Sequence, residues 1–137
     1  MILVAEDNDV NQIVVEQILL DAGHAYAIVE NGRLALEQFK AARPDLVLMD
    51  VSMPEMNGLE ATVAMREAEA AAGDGVRTPI VGLTAHALKG DKELCLKAGM
   101  DDYMTKLISP DALQTKVAEW LEKSGKAGEA RDDSAVA

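Results

Sequence analysis

The chain has 137 residues and a formal net charge of −11, from 24 acidic and 13 basic residues. Its apolar share of 49% and charged share of 27% describe a globular chain with one hydrophobic core, not a disordered one. The acidic balance argues against direct nucleic-acid binding, which needs clustered Lys and Arg, and four aromatic residues are too few for a base-stacking platform.

Short apolar runs alternate with stretches of helical period. Residues 1–5 (MILVA) form the first expected strand. In the helix that follows, Val10, Ile13, Val14 and Ile18 fall at i, i+3, i+4 and i+8, which predicts that they share the buried face, and Gly23 supplies a stop signal. Residues 25–29 (AYAIV) read as the second strand. A helix over about 32–42 carries Ala35, Leu36 and Phe39 inward and ends before Pro44. The third strand is expected at 45–49 (DLVLM), and the third helix, about 58–71, runs into Gly73-Asp74-Gly75. The fourth strand is 79–83 (PIVGL), followed by a helix over about 87–98 that Gly99 ends. Residues 101–105 (DDYMT) form the fifth strand. Ser109 then serves as N-cap and Pro110 as first residue of a last helix, in which Leu113, Val117, Trp120 and Leu121 repeat at i, i+4, i+7 and i+8.

The first, third and fourth strands are continuously apolar, the mark of parallel strands covered on both faces. Five strand–helix units in strict alternation imply an α/β fold with a parallel sheet and right-handed crossovers. From Ser124 onward the small, polar SGKAGEARDDSAVA buries too little apolar surface to offset its ordering entropy. Residues 1–123 are therefore expected as the domain and 124–137 as a disordered tail or linker remnant. No apolar run reaches the ~18 residues of a membrane-spanning helix and no signal-peptide pattern opens the chain, so a cytoplasmic setting without membrane contact is expected. Cys95, the only cysteine, permits no intramolecular disulfide and is expected as a small buried hydrophobe.

Ligands of an open parallel sheet bind outside the carboxyl ends of its strands. There the sequence places Glu6-Asp7-Asn8 after the first strand, Asp50 at the third, Thr84-Ala85 at the fourth and Lys106 at the fifth. Three carboxylates held close repel one another, and a divalent cation relieves them; hard oxygen donors with room for water and phosphate suit Mg²⁺. Lys106 adds positive charge for an incoming phosphoryl group, and Thr84 can donate to one of its oxygens. Asp50 ends the central strand and is the candidate nucleophile, a carboxylate being suited to form an acyl phosphate.

These residues, with D-V-S-M-P-E-M-N-G-L-E at 50–60, resemble the receiver domains of two-component response regulators over essentially all of residues 1–123. E-D-N-x-x-N near the start and G-L-T-A-H-A at 82–87 look most like receivers of hybrid sensor histidine kinases. The resemblance implies a flavodoxin-like sheet in the order 2-1-3-4-5 with five helices on its two faces. It implies Asp50 as phospho-acceptor, and Glu6, Asp7 and the Ser52 backbone carbonyl beside Asp50 as Mg²⁺ ligands. Thr84 and Tyr103 match positions that reorient on phosphorylation, and Lys106 matches the lysine that contacts the phosphoryl group. A histidine kinase or histidine phosphotransfer protein is the implied partner, the α4-β5-α5 face the implied output surface, and a monomer or weak dimer the expected state. Met1 directly opens the first strand, which fits a domain excised from a larger sensor protein as well as a standalone regulator; the hybrid-kinase wording favours excision.

One departure stands out. Receivers usually carry proline directly after the lysine, in a cis peptide bond, where this chain has Leu107. A cis bond to a non-proline costs ~2.5–4 kcal/mol, so a trans bond and a repositioned loop are expected. Leu107 also favours an alternative, a degenerate receiver that only docks. An Asp-nucleophile phosphatase usually has a second aspartate where Ser52 stands, and a nucleotide or flavin carrier lacks its glycine-rich motif here.

Overall fold

The computed structural model describes residues 1–51, 56–73, 75–84, 89–105 and 109–123. The expectations for Ser52, Ala85, Lys106, Leu107 and the segment 124–137 lie outside the described residues. The ten elements alternate as β1 (Ile2–Ala5), α1 (Asp9–Asp21), β2 (Tyr26–Val29), α2 (Gly32–Ala42), β3 (Leu46–Asp50), α3 (Gly58–Ala72), β4 (Ile80–Thr84), α4 (Lys89–Ala98), β5 (Asp102–Thr105) and α5 (Pro110–Lys123). The five strands are all parallel and lie in the order β2-β1-β3-β4-β5.

Alternate side chains of each strand project to opposite faces, and the two faces are covered by different helices. Ile2, Val4, Leu46, Leu48, Val81 and Leu83 pack with Val15, Ile18 and Leu19 of α1 and Leu113 and Val117 of α5. Leu3, Ala5, Val47, Met49 and Ile80 pack with Ala35 and Phe39 of α2, Ala61 and Met65 of α3 and Cys95 of α4. Burial on both faces is why β1, β3 and β4 are apolar up to the polar residues Asp50 and Thr84 that end β3 and β4. Phe39 and Ala35 are inward as expected, with Leu36 partly buried against the same core, and Cys95 is buried. Ser109 caps α5: its Oγ accepts the Ala112 N–H at 3.1 Å.

Of the four α1 residues expected to share the buried face, Ile18 is buried and the other three are corrected. Val10 and Ile13 are 67% and 63% exposed and Val14 is 37% exposed, while Val15, Ile18 and Leu19 fill the core. The helix sequence DVNQIVVEQILLD is apolar on more than one side, so its period alone does not choose the buried face. Packing against β1 and α5 chooses it.

Away from the carboxyl edge of the sheet, Arg66 of α3 ties several segments together. Its guanidinium donates to the carbonyls of Gly99 and Thr78 and to the carboxylates of Glu69 and Asp101, at 2.8–2.9 Å. Asp101 also accepts the Ile80 N–H at 2.8 Å and pairs with Arg77. The start of β4 and the α4–β5 turn are thereby held to α3.

Candidate functional site

The register of β1 on β3 pairs Ala5 with Met49. One residue further along each strand stand Glu6 and Asp50, and Asp7 follows Glu6. Carboxylate oxygens of Glu6, Asp7 and Asp50 all lie within 4.8 Å of one another. Glu6 is 0% and Asp50 1% exposed, whereas Asp7 is exposed. At an effective dielectric of about 20, two unit charges at 4.8 Å repel by about 3.5 kcal/mol. Burying two such groups together calls for a counter-charge.

Local chain geometry fixes each acid. The Glu6 N–H donates to the Val29 carbonyl at 3.0 Å, its Oε2 accepts the Asn8 N–H at 3.1 Å, and its carbonyl accepts Gln12 Nε2 at 2.6 Å. Asn8 caps α1, its Oδ1 accepting the Asn11 N–H at 3.0 Å, so the second asparagine of E-D-N-x-x-N contributes a backbone donor. Asp50 is the last residue of β3, and the next N–H, of Val51, donates to the Leu83 carbonyl at 3.0 Å. Gly58 closes the loop behind it: its N–H donates to the Val51 carbonyl at 3.0 Å, and a Cβ there would stand 2.1 Å from the Asp50 carbonyl oxygen. Asn57 and Glu60 form a capping box that starts α3 at this point.

Thr84 ends β4, is 5% exposed, and lies one residue beyond the Leu83 that pairs with Asp50. Tyr103 pairs with Gly82 on β5 and is half-buried; Lys92 Nζ of α4 stands 5.8 Å from its ring centroid. The three acids are thus brought together with Thr84 near the same strand ends. Sequence reasoning missed Gln12, Asn57 with Glu60, and the exposed α1 patch. The N-x-x-E spacing of the capping box was available as a signal; the Gln12 contact depends on a loop path that no spacing records. A cavity of about 620 Å³ between α2 and α3 involves none of these residues.

The donor set fits Mg²⁺. Opposed oxygens of its octahedron lie about 4.2 Å apart, inside the 4.8 Å that bounds the carboxylate separations, so these acids can reach it directly or through its waters and leave positions for phosphate. Asp7, on the solvent side, leaves the site open.

The fold is that of a family. The response regulator receiver domain model matches residues 2–118. The chain is 41% identical over 132 residues to hybrid signal transduction histidine kinase I of Dictyostelium discoideum, covering 90% of this chain and 8% of that protein. It is 41% identical over 119 residues to the sensor histidine kinase GacS of Pseudomonas protegens, covering 87% of this chain and 13% of that protein. Among solved structures it is similar to the receiver domain of the sensor histidine kinase PA1611 from Pseudomonas aeruginosa, which has a magnesium ion coordinated in its active-site cleft. That match has a TM-score of 0.80 and 40% identity, over 88% of this chain and 96% of that one. A second neighbour is the co-crystal structure of the Saccharomyces cerevisiae histidine phosphotransfer signaling protein Ypd1 with the receiver domain of Ssk1; its TM-score is 0.82 with 33% identity, over 87% of this chain and 86% of that one.

The chain belongs to the response regulator receiver domain family. Its curated relatives are hybrid and sensor histidine kinases of two-component phosphorelays, and it spans 8–13% of the length of the first three it matches. None of its described helices is long and apolar enough to cross a membrane.

Proposed function

We propose that this domain accepts a phosphoryl group on Asp50 from a protein phosphohistidine, with Mg²⁺ held by Glu6, Asp7, Asp50 and the Ser52 carbonyl. The observation that carries the reading is the packing of three carboxylates within 4.8 Å, two of them buried, at the carboxyl ends of two adjacent strands. Mg²⁺, when bound, neutralises these acids and the phosphoryl oxygens.

The chain's own residues do the rest. An Asp50 carboxylate oxygen attacks phosphorus, forming the O–P bond as the N–P bond to the donor histidine breaks; the imidazole keeps the electron pair and takes a proton. Gly58 and the Val51–Leu83 hydrogen bond hold the Asp50 backbone for in-line approach. Lys106 and Thr84 are assigned to the phosphoryl oxygens. Thr84 and Tyr103 then shift together, altering the α4-β5-α5 face as a two-state output. Water later hydrolyses the acyl phosphate.

The donor docks on α1. Val10, Ile13 and Val14 form an exposed apolar stripe on the helix that begins two residues after Asp7. An apolar patch bordering an acidic pocket suits a protein that must present one histidine to it, such as a histidine phosphotransfer protein. We assign the domain to residues 1–123, in a cytoplasmic phosphorelay of the hybrid-kinase kind.

Intact mass after treatment with acetyl phosphate tests the assignment. The parent is expected to gain one phosphoryl group with Mg²⁺ and none with chelator, and Asp50→Asn to gain none. Equal labelling of Asp50→Asn refutes it.

A further inference from the structure

The turn from β2 to α2 supplies none of the three clustered carboxylates. It nevertheless touches both pieces of chain that carry them. At its start, the Val29 carbonyl accepts the Glu6 N–H at 3.0 Å. At its end, the Gly32 N–H donates to the Met56 carbonyl at 2.9 Å. Met56 belongs to the loop that leaves Asp50, and two residues later Gly58 returns that loop to Val51.

The approach at Gly32 leaves no space for a side chain. A Cβ there would stand 2.1 Å from the Met56 carbonyl oxygen and 2.9 Å from its carbon. Both are backbone atoms, so neither swings aside as a flexible side chain would. Gly32 is buried and is not among the residues of positive φ, so a left-handed turn does not explain the glycine. Nor is its amide placed loosely: Asn31, 4% exposed, caps α2 by accepting the Leu34 N–H at 2.8 Å, which sets the direction of the first helical N–H groups.

We infer that Gly32 is a positioning residue for the metal and phosphoryl pocket, the β2–α2 turn spanning from Glu6 to the loop after Asp50 and setting the separation of the two. The inference rests on the Mg²⁺ reading above. A side chain at position 32 pushes the Met56 backbone outward and, through the Gly58–Val51 hydrogen bond two residues on, displaces the chain just after Asp50. A group that orients a ligand without touching the ion typically changes metal affinity by 10–100-fold.

The test is a Mg²⁺ titration by calorimetry on the parent, Gly32→Ala and Gly23→Ala, each at a temperature where it is fully folded. Gly23 ends α1 at φ 80° with nothing within 4 Å of a Cβ, so alanine there strains the backbone without reaching the pocket. Gly32→Ala is expected to raise the Mg²⁺ Kd about tenfold or more. Gly23→Ala is expected to lose stability and keep the parent's Kd. A Gly32→Ala Kd equal to the parent's overturns the inference, and so does an equal weakening in both variants. Should Gly32→Ala not fold, heteronuclear NMR of the parent decides: Mg²⁺ is expected to shift the Gly32 amide and slow its hydrogen exchange. An unmoved Gly32 amide beside shifting Glu6 and Asp50 amides overturns it. No Mg²⁺ uptake by the parent defeats the site reading itself, and this inference with it.

Discussion

Asp50 stands almost wholly buried beside the buried Glu6. Removing its charge therefore relieves repulsion in the metal-free protein while leaving the side chain's shape nearly unchanged. Asp50→Asn is expected to be more stable than the parent without divalent cations, by about 1–3 kcal/mol at the effective dielectric of a partly hydrated site. Saturating Mg²⁺ should shrink that difference, since the ion favours the fully charged set. Urea denaturation with and without Mg²⁺ measures both; an Asp50→Asn protein less stable than the parent in chelator contradicts the strained-acid account. Asp102 is the opposite case. Burial pushes its carboxyl up, but hydrogen bonds from Lys116 Nζ, Trp120 Nε1 and the Tyr103 N–H outweigh that and hold it below its ordinary 3.8. Its folded value being depressed, the stabilisation is present above that ordinary value and lost as pH falls through the folded one. The stability gap between the parent and Asp102→Asn should accordingly close below about pH 4. A gap unchanged from neutral pH to acid would contradict it. Glu6, Asp7 and Asp50 were legible because strand ends are legible. Gln12 and Gly32 were not, because their contacts are to backbone carbonyls that come within reach only after the sheet assembles.

At the scale of elements, α1 shows where hydrophobic period stops being informative. Val10, Ile13 and Val14 satisfy a helical stripe as well as Val15, Ile18 and Leu19 do, and only the second set meets α5 and the sheet. The first stripe is left in solvent on the helix that follows Glu6 and Asp7 in the chain. Ile13→Asp is expected to keep the fold and the rate of labelling by acetyl phosphate, while slowing phosphoryl transfer from a histidine phosphotransfer protein about tenfold or more, as loss of a buried apolar anchor does at an interface. Transfer at the parent's rate would remove α1 from the docking face. The start of α5 was read from Ser109, because a cap is a local device of three or four residues; Asn31 and Asn57 cap α2 and α3 in the same way, and neither was recognised from the sequence. The start of α4 and the lysine loop after β5 carry no comparable local signal, and Lys106 and Leu107 stay as sequence expectations.

For the whole molecule, strict alternation of strands and helices was enough to predict a parallel sheet covered on both sides. It was not enough to order the strands, since several right-handed windings satisfy the same alternation; the order 2-1-3-4-5 came with the family resemblance. That order has a chemical consequence. It makes β1 and β3 neighbours, and with Ala5 paired to Met49 it is what brings the adjacent Glu6 and Asp7 together with Asp50, distant in sequence, in one pocket. The pocket is expected to direct phosphorylation to one carboxylate. The most direct measurement of this is borohydride trapping of the acetyl-phosphate product followed by peptide mapping. The expected result is reduction at Asp50 alone, present with Mg²⁺ and absent with chelator; modification of another residue, or labelling of Asp50 indifferent to the metal, would contradict it.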